Sequence, residues 1–154
     1  MQVRKARPGD AEEIRALYRS LVPGDDNIHV DPGRIDELAG HPTNHLFVVE
    51  DAGGVCASAF LTVCLDPMYG FSPYGVVENV IVAASARGQG VGRALMAAVE
   101  HEARAARCTK LMLLSAKSRV EAHAFFAALG FDAGRKVGFV KYLNRTPAPP
   151  SPAS

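Results

Sequence analysis

Residues 76–105 constrain the fold of this chain more than any other stretch. An apolar, β-branched run over 76–83 passes through a turn with glycine at 88, 90 and 92 into a helix running from 91 to about 107. In that helix Val91, Leu95, Val99 and Ala103 recur every four residues. A strand delivered straight into a long helix demands a layered α/β architecture, because the strand needs paired neighbours and the helix needs a sheet face to cover. Apolar runs at 3–6, 46–50, 55–65, 111–114 and 137–143 supply the other strands, and Asp51-Ala52-Gly53-Gly54 has the composition of a hairpin turn. Ile14, Leu17, Tyr18 and Leu21 form one helical face after Asp10, an N-cap with Glu13 as its capping-box partner. Asp31-Pro32 opens a short second helix with Ile35 and Leu38 inward and Gly40 as its stop. Ala122, Phe125, Phe126 and Leu129 are the stripe of a last one that stops at Gly130. The expectation is an α/β protein with a mixed, mostly antiparallel central sheet of about six strands flanked by about four helices. It forms one domain over 1–145, followed by a proline-rich disordered tail at 146–154.

With 154 residues, 48% hydrophobic and 21% charged, the chain can bury a core without disulfide or metal staples. Cys56, Cys64 and Cys108 are scattered and lack C-x-x-C spacing, so they read as reduced, structural thiols. His29, His41 and His45 lack ligand spacing, and no metal is expected. The N-terminal stretch has no apolar h-region and no run approaches 18 apolar residues, which points to the cytoplasm and away from membranes. The net charge of +1 hides a split: residues 1–86 sum to −6 and residues 87–154 to +7. A balanced whole argues against nucleic-acid binding, whereas a basic second half suits a small anionic ligand.

The anion has an obvious seat. Arg87-Gly88-Gln89-Gly90-Val91-Gly92-Arg93 places glycines where the backbone must approach a ligand closely, at a helix start whose free amides and dipole favour negative charge, with Arg87 and Arg93 adding full charges. The dinucleotide template G-x-G-x-x-G counted from Gly88 meets Arg93 instead of glycine, and the G-x-x-x-x-G-K phosphate loop lacks its lysine. Arg87-x-x-Gly90-x-Gly92 instead resembles the R/Q-x-x-G-x-G/A signature with which the GNAT superfamily of N-acetyltransferases grips the pyrophosphate of coenzyme A. The run from Arg119 to Phe131 is similar to that family's A-x-x-F-Y-x-x-x-G-F segment. The element order matches over about nine-tenths of the chain, and 77–142 looks closest to the small-amine branch containing glucosamine-6-phosphate N-acetyltransferases.

This resemblance implies an acetyl-CoA-dependent enzyme moving an acetyl group to a primary amine of a small molecule by direct transfer in a ternary complex. The segment Val80-Ile81-Val82 would splay from 111–114, leaving backbone groups for the pantetheine arm. One amide there would stabilise the oxyanion, an effect worth roughly 3–4 kcal/mol where such a donor has been removed from other enzymes. Gly88, Gln89, Gly90, Val91, Gly92 and Arg93 with Arg87 would hold the pyrophosphate, and Phe126 would line the cofactor. Glu78, a charge within an apolar strand, is the expected general base or substrate-binding group, and strict alternation puts it on the face opposite Asn79. The thiol acid of relatives is a tyrosine where this chain has Phe126, so Ser115, Tyr142, Tyr74 or water would protonate the leaving thiolate. Arg119 stands where many relatives carry asparagine.

Tyr69, Phe71 and Tyr74 lie in an aromatic, glycine-rich loop. They either wall an acceptor pocket, with Glu78 and Asn79 as further substrate contacts, or merely cover the sheet. His123 reads as structural. The acidic first half suits a cationic amine, and relatives suggest a homodimer. Two other readings stay open: a non-catalytic acyl-CoA sensor domain, favoured by Phe126, and an acetyltransferase of peptide or protein amines.

Overall fold

A computed structural model of the protein describes residues 1–143, and the expected tail at 146–154 lies outside them. The chain divides into two compact units, one spanning Met1–Leu114 and a second starting at Ser115.

The first unit is a five-stranded sheet in the order β1-β2-β3-β4-β5 with a helical layer on each face. Strands β1 (Gln2–Lys5), β2 (Asn44–Asp51), β3 (Gly54–Cys64) and β4 (Tyr74–Val82) pair antiparallel in sequence, and β5 (Leu111–Leu113) joins β4 in parallel. Helices α1 (Ala11–Leu21) and α2 (Pro32–Ala39) pack on one face. There Ile14 and Ile35 meet Leu46 and Val48, with Tyr18, Leu38 and Phe60 packed against this cluster. On the other face lies α3 (Val91–Ala105), whose Glu102 reaches His45 at 3.6 Å and Lys5 at 3.1 Å. Leu46 and Val48 alternate with His45 along β2, so the two helical layers must cover opposite faces. Burying each large apolar side chain in such a layer contributes about 1.5–3 kcal/mol, which is why Ile14, Ile35, Leu61, Leu95 and Val99 are fully enclosed.

Local chemistry explains the element ends. Asp31 caps α2, its carboxylate accepting from Gly33 N at 2.7 Å, with Pro32 in the first turn. The hairpin turn forms at 51–54 as expected, Asp51 accepting from Gly53 N at 2.8 Å while Gly54 takes φ +109°. The expected capping box at Asp10 does not form. Its carboxylate takes a two-pronged bond from Arg4 at 2.7 and 2.9 Å and the Arg7 amide at 2.7 Å, and Glu13 accepts from Val55 N at 3.2 Å. A charged, forked partner outcompetes a helix amide for the same oxygens.

The second unit contains α4 (Val120–Ala128), where Phe126 packs against Phe125 and Phe131 with ring centroids 5.4 and 5.9 Å apart. The expected α/β architecture is therefore present, with five strands among the described residues. The sixth, expected at 137–143, is irregular, and Val137, Phe139, Val140, Tyr142 and Leu143 are all exposed. Alternating apolar residues make a strand only where a neighbour completes the ladder, and among the described residues no ladder includes this stretch.

Candidate active site

The functional candidates of the first unit gather where β4 leaves its neighbour. The β4–β5 ladder pairs only Gly75, Val76 and Val77 with Leu111, Met112 and Leu113, so β4 runs on from Glu78 to Val82 without β5 beside it. Beyond the strand, Ala83 N bonds to Cys56 O on β3 at 2.8 Å. Antiparallel alternation then turns the Ile81 backbone toward β3 and leaves the amides of Val80 and Val82 on the open edge. Of the three residues expected to face a cofactor there, Val80 and Val82 offer backbone groups, while Ile81 is buried and engaged with β3.

The open edge leads directly into the glycine turn. After a single 3-10 turn over Ala84–Ala86, Gly88 and Gly90 adopt φ of +75° and +79°, and Gly90 is the N-cap of α3. These are left-handed conformations that side chains adopt only at a cost, which is why glycine occupies both. Gly90 O accepts the first helical bond, from Ala94 N at 3.0 Å, whereas the amides of residues 88–93 close no backbone bond of ordinary geometry. A row of free N–H groups at the positive end of a 15-residue helix is a seat for an anion. Arg87 Nε donates to Val82 O at 3.2 Å and Gln89 Nε2 to Ser85 O at 2.8 Å, fixing the turn against the end of β4. Gly92 and Arg93 continue in the first turn of α3, and Val91 is buried beneath it. Edge and cradle together fit an extended ligand with a backbone-bonding arm and a polyanionic end.

At the start of the open edge the sheet is kinked. The β3–β4 register slips between Ser58, opposite Ile81, and Phe60, opposite Glu78, so that Asn79 and Val80 both oppose Ala59. Asn79 takes φ +54°. This bulge corrects the strict alternation expected from sequence. Glu78 shares a face with its cross-strand partner Phe60, on the α1 and α2 side, and Asn79 lies beside Tyr18 of α1 on that same side. The Glu78 carboxylate is exposed and closes no hydrogen bond or ion pair with the described residues. Sequence reasoning read Tyr18 as one of four core residues and did not place it near Ser58 and Asn79. The available signal was a hydroxyl in an otherwise aliphatic stripe. Burial pushes the Tyr18 phenol above its ordinary pKa, while Ser58 and Asn79 beside it pull it down. The wholly buried Ser58 Oγ closes no bond of ordinary geometry.

The remaining candidates are dispersed. Tyr69 sits exposed in a 3-10 turn over Pro67–Tyr69, and Phe71 is fully exposed. Tyr74 begins β4, opposite Cys64, with Lys110 Nζ 5.4 Å from its ring centroid; Cys64 beside it raises its pKa. In the second unit Ser115 Oγ is buried without a hydrogen-bond partner, Tyr142 is exposed, and Phe126 is enclosed by its aromatic neighbours. His123 Nε2 lies 2.9 Å from Ala116 O, and Arg119 is the N-cap of α4. The described residues contain no group of three or more His, Cys, Asp or Glu that could hold a metal ion.

Residues 11–131 match the model of the acetyltransferase (GNAT) family. Over 149 residues the chain is 40% identical to an aminoglycoside N(6')-acetyltransferase type 1 of Stenotrophomonas maltophilia, covering 90% of this chain and 91% of that protein. A solved structure from Agrobacterium tumefaciens str. C58 is 29% identical with a TM-score of 0.83, covering 93% of this chain and 100% of that one. Glucosamine-6-phosphate N-acetyltransferase from Arabidopsis thaliana shares the fold, with a TM-score of 0.77 at 20% identity and coverage of 93% and 98%. The chain therefore belongs to the GNAT family of acetyltransferases, enzymes that move an acetyl group from acetyl-CoA to an amine.

Proposed function

We propose that this enzyme acetylates a primary amine of a small, cationic, aminoglycoside-like molecule by direct transfer within a ternary complex. The observation that carries the proposal is the continuity of the open β4 edge with the glycine cradle, which joins amide donors for a pantetheine arm to free helix amides for a pyrophosphate. Similarity to an aminoglycoside acetyltransferase supports the acceptor class, as does the net charge of −6 on residues 1–86.

In this reading Arg87, Gly88, Gln89, Gly90, Val91, Gly92 and Arg93 bind the pyrophosphate, and the Val80 or Val82 amide faces the thioester oxygen. The neutral amine adds to the carbonyl carbon, forming the C–N bond while the C=O electron pair moves onto oxygen, where the edge amide stabilises it. Glu78 removes the proton from the amine nitrogen, directly or through water, as the C–S bond breaks. The departing thiolate, whose parent thiol has a pKa of about 8.5, takes its proton from solvent or Tyr74. Tyr69, Tyr74 and Asn79 border the acceptor. We also take the enzyme to be cytoplasmic, with neither nucleic acid nor membrane as partner, and a homodimer. The exposed apolar run at 137–143 favours the dimer, which equilibrium sedimentation checks. Among the described residues no helix is long and apolar enough to cross a membrane.

Calorimetric titration with acetyl-CoA, followed by a thiol-release assay against aminoglycosides, polyamines, amino-sugar phosphates and peptides, tests the reading. Binding with turnover of aminoglycosides supports it. Turnover confined to peptides or sugar phosphates overturns the acceptor class, and absence of binding overturns the cradle.

A further inference from the structure

The two faces of the sheet differ where β3 meets β4. On the α3 side Leu61 and Val63 of β3 and Gly75 and Val77 of β4 are all buried. On the α1 and α2 side the helices cover Leu46 and Val48 and reach Phe60, but Thr62 and Cys64 of β3, Tyr74 and Val76 of β4 and Met112 of β5 are only half-buried. Register joins these residues into one surface. Phe60 opposes Glu78, Thr62 opposes Val76, Cys64 opposes Tyr74, and Met112 lies beside Val76 across the parallel ladder. A sheet face left to water ordinarily carries polar side chains, whereas this one is aromatic, β-branched and sulfur-bearing, with the Thr62 hydroxyl near its centre. Four residues of rise from Tyr74 to Glu78 make it about 13 Å long, and three strands make it about 10 Å wide, room for a molecule of one or two rings. Charge marks its ends. Glu78, exposed and without a hydrogen bond or ion pair to the described residues, stands next to the open edge. At the far end Lys110 Nζ lies 5.4 Å from the Tyr74 ring centroid, so a cationic group has one favourable place on this floor, beside Glu78.

We propose that this surface is the acceptor floor: Thr62 and Val76, flanked by Phe60 and Met112, carry the neutral, hydroxyl-bearing ring of a primary amine whose ammonium group sits at Glu78. The inference deepens the acetyltransferase reading given above and rests on it for the chemistry. It makes β4 a common rail, with residues 80–82 serving the donor and residues 74–78 the acceptor, and the two meeting at Glu78 and the Val80 amide. Thr62 and Val76 touch the acceptor alone, because the cradle at residues 87–93 lies beyond the opposite end of the strand.

The test compares Thr62→Lys with Thr62→Glu, using acetyl-CoA and the aminoglycoside kanamycin in about 0.15 M salt, which screens charges farther than about 8 Å. Both side chains are long and polar, so they perturb the strand alike and differ in how they treat a cation. Thr62→Lys should raise the KM for kanamycin by more than about tenfold, and Thr62→Glu should leave it at or below the wild-type value. The KM for acetyl-CoA should stay within about twofold in both. Equal KM values for kanamycin in the two variants, or a change confined to acetyl-CoA, overturn the proposal. Were the face covered instead by a second copy of the chain, Thr62→Lys would shift sedimentation toward the monomer while the two variants kept equal KM values for kanamycin, and the proposal would fall. A wild-type protein that neither binds acetyl-CoA nor releases thiol overturns the acetyltransferase reading instead. Calorimetric titration with kanamycin alone then still decides the floor: tighter binding to Thr62→Glu than to Thr62→Lys supports it, and equal affinities or no binding to the wild type overturn it. Should either variant fail to fold, Val76→Lys and Val76→Glu put the same pair of charges on the neighbouring strand, with the same outcomes.

Discussion

Glu78 and Gly90 illustrate how differently two residues of one site respond to substitution. The Glu78 side chain is exposed and closes no bond that stabilises the fold. Glu78→Gln should therefore leave the melting temperature unchanged, keep the KM for acetyl-CoA within about twofold and lower kcat by about a hundredfold. A kcat equal to wild type across the pH range excludes Glu78 as the base. Gly90 is the reverse, because its φ of +79° forms both the N-cap of α3 and the cradle. No atom lies within 4 Å of a methyl group added there, so the penalty is conformational rather than steric. Gly90→Val should weaken acetyl-CoA binding by more than about tenfold and also lower stability by about 1–2 kcal/mol, read by calorimetry and thermal melting. Unchanged affinity in the folded variant removes the cradle assignment. The glycines were legible in sequence because their spacing has one backbone explanation. The β4 bulge at Asn79 was not, since a β-branched run does not reveal where its register slips against the neighbouring strand.

At the scale of the element, the start of α1 shows a local signal overruled by a distant partner. Asp10 occupies the N-cap position, but Arg4 of β1 takes both carboxylate oxygens, and Arg4 Nε also bonds Glu50 of β2 at 2.7 Å. This ties the first strand, the second strand and the helix start through one guanidinium. Arg4 holds the Asp10 carboxyl below its ordinary value, against the raising effect of burial. A depressed carboxylate pKa adds stability that is fully present above the unfolded value of about 3.9 and is lost as pH falls through the folded one. Asp10→Asn should lower stability at pH 7 by about 1–3 kcal/mol and reduce the steepness of acid unfolding below pH 4. An unaltered acid limb would show that the pair contributes nothing to stability. The capping-box residues were readable along the chain, but which partner Asp10 selects depends on a strand six residues earlier that the fold brings alongside.

Across the sheet–helix layer of the first unit, the His45, Lys5 and Glu102 cluster links β1 and β2 to α3. Burial and the charges of Lys5 and His41 hold the His45 imidazole below its ordinary pKa, outweighing the opposite pull of Glu102. A depressed histidine is neutral in the fold where the unfolded chain would already be protonated. Its stabilising contribution is thus present above about pH 6.5 and declines as pH falls below that value. The melting temperature should fall between pH 7 and pH 5, and His45→Gln should flatten that slope. An identical slope in the variant would assign the acid sensitivity elsewhere.

The strand–turn–helix unit over 74–105, the hairpin at 51–54 and the acidic–basic division of the chain were determined by sequence alone. Each rests on interactions between near neighbours: left-handed glycines, β-branched runs and helical periodicity. Tertiary structure decided the rest. The β4 bulge depends on register against β3, the open edge on where β5 stops, and the irregular path of 137–143 on the lack of a ladder to it among the described residues. Periodicity specifies which residues can face a core, but backbone hydrogen bonds between strands are satisfied only by particular partners, and those are chosen when the sheet assembles.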